Sequence, residues 1–198
     1  MDMTAIGLRA QKGGAVIVGV SVTADGPRIL LSSFLPTSTE GDRLSYEPYR
    51  IAFEAAQSGE RGKAVAAVAE GRARQERLAA EGLERLEHKP NVAALLINRA
   101  GWITDLLDYS LAWPDHVPIA ETLAVRDALR FAIRRCGVDL AELDEKSLPE
   151  RAAEVLGLTS AEIDAHIKTL GVAAGKPWRK EQKLACLAAW IAVSSQGA

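Results

Sequence analysis

Three apolar segments open the chain, and the links between them are too short for anything but an antiparallel arrangement. TAIGLRAQ (Thr4–Gln11), AVIVGVSVT (Ala15–Thr23) and PRILLSSFL (Pro27–Leu35) are separated only by KGG and ADG. A parallel crossover needs about a dozen residues or more, so links of this length join neighbours that run in opposite directions. Their glycines accept the positive φ that tight turns demand. In the first segment Ile6, Leu8 and Ala10 fall on one face. The second is apolar almost throughout, as expected of a strand covered on both faces. A three-stranded meander is therefore the start of this fold.

Beyond the meander, helical and strand patterns alternate. PTSTEGDRLSYEP (Pro36–Pro48) is turn-rich and reads as a loop, with a short helical piece over Tyr49–Gln57. Ala, Glu, Arg and Leu dominate from Glu60 to Glu87, which predicts one long helix, with the acid-first pairs Glu70/Arg74 and Glu81/Arg85 on its surface. Gly71 and Gly82 each cost that helix about 1 kcal/mol relative to alanine, and close packing against a sheet would account for them. NVAALLINRAG (Asn91–Gly101) is a fourth strand, then a minor helix over Gly101–Trp113 broken by WPDHVP. Ile119–Cys136 is amphipathic, with Leu123, Leu129, Ile133 and Cys136 inward and Gly137 as its C-cap. VDLAELDEKS (Val138–Ser147) is a weaker fifth strand. Two short helices come next, Leu148–Leu156 and Ser160–Leu170, the second capped by Ser160. Pro177 suits the first position of a final helix. The order β-β-β-α-β-α-β-α predicts an α/β fold with a mixed five-stranded sheet and helices on both faces. Residues 1–198 read as a single domain, with helical insertions near 102–118 and 148–172.

A net charge of −2 gives no global signal for nucleic acid or an anionic membrane, so any polyanion must meet a local patch. Cys136 and Cys186 lie far apart in helical contexts, which argues against a disulfide scaffold and for a reducing cytoplasm. MDMTAIGLRAQKGG lacks the basic-then-apolar pattern of a signal peptide. The longest apolar run, Leu184–Val193, is about half the ~20 residues of a membrane span, so no membrane partner is expected.

The element order, together with the Ala/Leu-rich EQKLACLAAW of the last helix, resembles the ribonuclease H-like fold. Within it the likeness is to the RuvC-like branch of Holliday-junction resolvases, or to an uncharacterised bacterial relative. The resemblance implies phosphodiester hydrolysis by two metal ions. Their carboxylates come from the first strand, from the fourth strand or its neighbouring helix, and from the final helix. Here the first strand offers Ala5, Gly7 and Arg9 on the candidate face, and Asp2 lies too near the terminus. The fourth strand ends in Asn98 and Arg99. In the final helix Lys180 and Lys183 stand at the acid positions, with Glu181 the one nearby carboxylate. The resemblance therefore implies a fold relative with a degenerate metal site, a binding or structural protein with no cofactor. The alternative is a metal-dependent nuclease using Mg²⁺ on a relocated set drawn from Glu54, Glu121, Glu142, Asp144 and Glu181.

Several side chains carry candidate chemistry. Glu142, Asp144 and Lys146 share one strand face and Glu145 the other. They form an ion-pair cluster facing the last helix, a displaced active site, or merely a solvated strand end. His116 and Glu121 flank VPIA, with Arg126 one to two turns on. Such a pair can run acid–base chemistry, although a histidine here more often caps a loop. His88 and His166 complete no metal-ligand spacing, and neither KGG nor VAAGK continues as a phosphate-binding P-loop. Trp102, Trp113, Trp178 and Trp190 read as core or interface anchors. Trp178 alone could instead stack on a base or ring, because it begins the basic run Trp178, Arg179, Lys180 and Lys183. Cations at a helix N-terminus oppose the backbone dipole. Either an external anion relieves them, as nucleic acid or an acidic protein segment, or Glu142–Glu145 neutralises them from within. An open sheet edge also gives two copies a route to a homodimer.

Overall fold

The computed structural model describes residues 3–98 and 102–196; Asp2, Arg99 and Gly101, which were assigned from sequence above, lie outside the described residues. Strands β1 (Met3–Gln11), β2 (Gly14–Thr23) and β3 (Gly26–Pro36) form the expected antiparallel meander. Gly13 and Gly26 have φ of 83° and 107° at its turns, a backbone that other residues rarely adopt. β4 (Val92–Ile97) lies parallel to β1, and β5 (Asp139–Asp144) parallel to β4. The sheet order is β3-β2-β1-β4-β5.

The helices are α1 (Arg43–Tyr46), α2 (Pro48–Gln57), α3 (Arg61–Glu84), α4 (Leu106–Ala112), α5 (Val117–Arg135), α6 (Leu148–Leu156), α7 (Ser160–Ala174) and α8 (Lys180–Ser195). Period-two alternation splits the core between the two sheet faces. Ile6, Leu8, Ala93 and Leu95 pack against Ala79 and Leu83 of α3 and against Leu129 and Ile133 of α5. Ala5, Val18, Ala94 and Leu96 pack against α8, backed by α6 and α7. A smaller core, built on Tyr49, Ala52, Val68 and Ala124, ties α2 to α3 and α5.

Helix α8 lies unusually close to the sheet. A Cβ on Gly7 would sit 1.8 Å from the carbonyl oxygen of Ala185. Only glycine in β1 and alanines in α8 permit this approach. The two helical glycines of α3 divide. Gly82 faces the sheet as expected, 2.3 Å from Leu35 Cδ1 at its would-be Cβ. Gly71 instead meets the α1–α2 corner, 2.4 Å from the Leu44 carbonyl, so its reason is helix packing rather than sheet packing.

Element ends depart from the sequence-based expectation where side chains intervene. The loop after β3 contains α1, because the Asp42 carboxylate accepts from the Leu44 N–H at 3.1 Å and caps it. α5 begins at Val117, not Ile119. WPDHVP is a short 3₁₀ turn (Pro114–His116) that runs into the helix, and Pro118 costs nothing in a first turn. The cap of α7 is Thr159 rather than Ser160: Thr159 and Glu162 satisfy each other's backbone N–H groups at 2.8 and 3.3 Å. α8 begins at Lys180, so Pro177 lies in the connection and not at the first helical position. The Trp178 indole N–H donates to the Ile167 carbonyl at 3.2 Å, and its ring occupies the space above Gly171. The chain therefore docks on α7 before it turns into α8.

Cys136 and Cys186 are both free thiols. Burial pushes the Cys186 thiol up to about 12, which keeps it protonated. Among the described residues no helix is long and apolar enough to cross a membrane.

Candidate functional sites at the strand ends

The carboxyl ends of β1, β4 and β5 meet at one edge of the sheet, and charged side chains gather on both of its faces there. On the α8 face the dominant feature is an ion pair. Arg9 Nε and Nη2 donate to the two oxygens of Glu145 at 3.1 and 3.2 Å. The Glu145 N–H donates in turn to the Ile97 carbonyl at 2.9 Å, which fixes the carboxylate at the end of β4. This bidentate pair spans from β1 to the end of β5, with each side chain about one-quarter exposed.

Arg179, Lys180 and Lys183 are exposed at the start of α8, and among the described residues none forms an ion pair. They do not form one patch. Lys180 and Lys183 border an apolar groove of about 370 Å³ with Ile163, Ile167 and Leu187. Arg179 borders a separate hollow with Phe34, Glu181 and Gln182 on the β3 side. The Arg179 N–H is satisfied by the Gln182 side chain at 3.0 Å. Trp178 is half-buried against α7, so it anchors the connection and is not free to stack on a ligand.

The other face holds a cleft of about 710 Å³, bounded by α3, α5, the ends of β4 and β5, and residues 103–107. Asp127 accepts from Arg130 Nη1 at 2.7 Å and from Arg72 Nη2 at 3.3 Å. Arg130 also donates from Nε to Glu142. Arg126 is only 7% exposed. Its Nη1 donates to Asn98 Oδ1 at 3.0 Å, and its Nε bonds nothing among the described residues. Burial, then the neighbouring Arg130 charge, lower its pKa.

The acids of the fifth strand thus behave differently from the cluster expected against the last helix. Glu142 and Asp144 line the α5-side cleft, with the Asp144 carboxylate accepting from the Lys146 N–H at 2.7 Å. At the carboxyl end of the strand only Glu145 faces the α8 side, and it is committed to Arg9; Asp139, at the far end of that face, accepts from Gln196 Nε2 at 3.5 Å. Neither Lys180 nor Lys183 is neutralised by this strand. Strand alternation, which sends Glu145 opposite Glu142 and Asp144, explains the division.

His116 and Glu121 do not form a pair. His116 Nδ1–H donates to the Tyr109 carbonyl at 2.8 Å, and its ring stacks on Tyr109 with centroids 4.0 Å apart. Glu121 is 1% exposed, accepts from the Arg50 N–H at 2.9 Å, and has one oxygen without a partner. Burial raises its pKa to about 7. Of the proposed relocated set, Glu54 pairs with Arg43 on the surface and Glu181 lies on the β3 side, so the five acids do not converge. Among the described residues no three His, Cys, Asp or Glu side chains are grouped to hold a metal ion. Nor do the positions implied by the resemblance suit divalent cations. Gly7 is covered by the Ala185 carbonyl, and Arg9, Lys180 and Lys183 are themselves cationic.

Trp190 is a core anchor, edge-on to His166 at 5.3 Å. Trp102 and Trp113 are 70% and 67% exposed and belong to no core. The residues that sequence reasoning missed are Arg72, Asp127 and Arg130, and the isolation of Arg126. VRDALR does place Arg126 and Arg130 one turn apart beside Asp127. Arg72, on a distant helix, left no such trace.

No family model and no curated protein matches the chain. Among solved structures, RuvC from Thermus thermophilus superposes with a TM-score of 0.55 at 13% identity, over 98% of this chain and 96% of that one. The same protein in complex with a Holliday junction substrate also gives 0.55 at 13%, over 96% and 92%. The yeast mitochondrial Holliday junction resolvase Ydc2 is 16% identical over 97% of this chain and 80% of that one, with a TM-score of 0.49. The fold is ribonuclease H-like and RuvC-like.

Proposed function

We propose that this chain is a binding protein on a RuvC-like scaffold, engaging nucleic acid through Arg179, Lys180 and Lys183, and that it does not cut phosphodiesters with a two-metal site. The observation that carries the proposal is the Arg9–Glu145 pair. It sets a guanidinium at the strand ends where the resemblance calls for carboxylates, and a fixed cation there opposes a divalent ion. The three exposed cations at the start of α8 support the binding half of the reading, since phosphates would relieve charges that form no ion pair among the described residues. The reading needs no cofactor. It is compatible with a cytoplasmic setting, where both thiols stay reduced, and with a homodimer formed along the open edge of β3.

RuvC has been seen with a Holliday junction, which makes a four-way DNA junction the first probe. Fluorescence anisotropy with that junction, a duplex and a single strand, across a salt series, should show binding that weakens steeply as salt rises. Charge reversal at Lys180 and Lys183 together should weaken it about tenfold or more. Absence of binding at low salt would defeat the nucleic-acid reading and leave an acidic protein segment as the partner to seek. Cleavage of the junction in Mg²⁺ or Mn²⁺ that disappears in Glu142→Ala would overturn the proposal in favour of the nuclease with a relocated carboxylate set.

A further inference from the structure

Among the arginines that line the α5-side cleft, Arg126 stands apart. Arg72 and Arg130 each have a carboxylate partner, whereas Arg126 has none among the described residues. It is also the most buried of the three. Asp127, Glu142 and Glu145 act on this buried guanidinium without touching it, and such a group without an anion in direct contact is unfavourable, so a partner is called for. Asn98 occupies Nη1 and thereby fixes the plane of the group. What remains is the side edge of Nε–H and Nη2–H, two parallel donors whose spacing matches the two oxygens of a carboxylate or phosphate.

The rest of the wall restricts what such an anion can be attached to. Ile97, Ile103, Leu106 and Leu123 give the same cleft apolar surface. Asp105, Glu142 and Asp144 line it too. Those acids would repel the repeated phosphates of a nucleic-acid strand laid along the cleft, whereas a single anionic head can stay on the Arg126 guanidinium. We infer that the cleft binds a small molecule with one two-oxygen anionic head, a carboxylate or a phosphate monoester, seated on Arg126, and an uncharged apolar body lying along Ile97, Ile103, Leu106 and Leu123. This site lies on the opposite sheet face from the basic start of α8 and is independent of the nucleic-acid proposal.

Benzoate and phenyl phosphate are the probes, with benzyl alcohol as the neutral control. Thermal unfolding of the full chain should show a saturable rise in Tm of a few degrees with one or both anions and none with the alcohol. Benzoate alone acting would mean a carboxylate head, and phenyl phosphate alone a phosphate head. Arg126→Gln should abolish the rise. In wild type the Arg126 Nε–H resonance should move during the same titration, a readout that does not depend on the variant folding. A rise of equal size in Arg126→Gln, or a still resonance with both anions, would overturn the inference.

Discussion

Arg9 and Arg126 sit at the same edge of the same sheet and meet opposite fates. Arg9 holds both oxygens of Glu145 and keeps contact with solvent. Arg126 is almost wholly enclosed and has a neutral amide as its partner. The difference originates in six residues of β5 and its exit. At the carboxyl end of β5 alternation gives the α8 face a single acid, Glu145, against a single arginine. It gives the α5 face Glu142 and Asp144, but Arg130 takes Glu142 and a backbone turn takes Asp144. Charge can therefore be locally plentiful and still leave one buried group unmatched. Glu121 repeats the pattern with the opposite sign, an enclosed carboxylate with an unpartnered oxygen.

The largest expected effect concerns the helix that covers the Arg9 face. Gly7→Asp should not rebuild a metal ligand but lower stability by about 3 kcal/mol or more, because its Cβ would overlap the Ala185 carbonyl. Urea denaturation measures this, and a stable Gly7→Asp protein would mean that α8 can lift off the strand.

The next effect is pH-dependent. Glu121 has its folded pKa raised from 4.5 to about 7, so the folded state holds this proton more tightly than the unfolded chain does. The stability it contributes is complete below about pH 4.5 and is lost as pH rises through about 7. Glu121→Gln should remove that decline and stabilise the protein above neutrality by up to the order of 3 kcal/mol. Tm measured from pH 4 to pH 9 (values spanning the ordinary and raised pKa) should be flatter for the variant, and parallel curves would show that Glu121 is solvated.

A smaller change tests the matched pair. Glu145→Gln should cost about 1 kcal/mol, since both partners keep contact with water. A double-mutant cycle with Arg9→Gln isolates the pairwise part, and a coupling near zero would make the pair incidental. Smallest of all, Lys183→Glu should leave Tm nearly unchanged, because Lys183 is exposed and forms no ion pair among the described residues, with Asp164 only sharing its groove, while weakening DNA binding. A clear loss of Tm would instead reveal an internal partner.

The meander was legible because link length dictates strand direction, and the helices because Ala, Glu, Arg and Leu dominate the longest one while apolar spacing marks the one over Ile119–Cys136. Alternation also foretold that Glu145 would part from Glu142 and Asp144. It could not tell which face each would join, since that depends on how β5 sits against β4. The same holds for their partners: Arg9 and Glu145 are 136 residues apart, and Arg130 reaches Glu142 only through the crossing of α5 over the sheet. Trp178 reads as an anchor in the sequence, with stacking on a ring as its alternative, but the surface that receives it was hidden for a related reason. Its basic neighbours suggested exposure, whereas the notch that receives it is made by the absence of a side chain at Gly171.

The contact between Gly7 and Ala185 also sets an order of events during synthesis. Gly7 precedes Ala185 by 178 residues, so β2 to β5 and α1 to α7 are all made before the two can touch. Until then the face bearing Ala5, Val16, Val18 and Val20 has no cover from α8. The nascent sheet is thus lopsided, covered by α3 and α5 on one face and lacking its main cover on the other. Such closure across a long loop is slow and leaves apolar surface bare while it waits. Arrest of translation before α8 should therefore yield a chain that sticks to itself or to a chaperone, with the smooth alanine surface of the final helix serving as the seal.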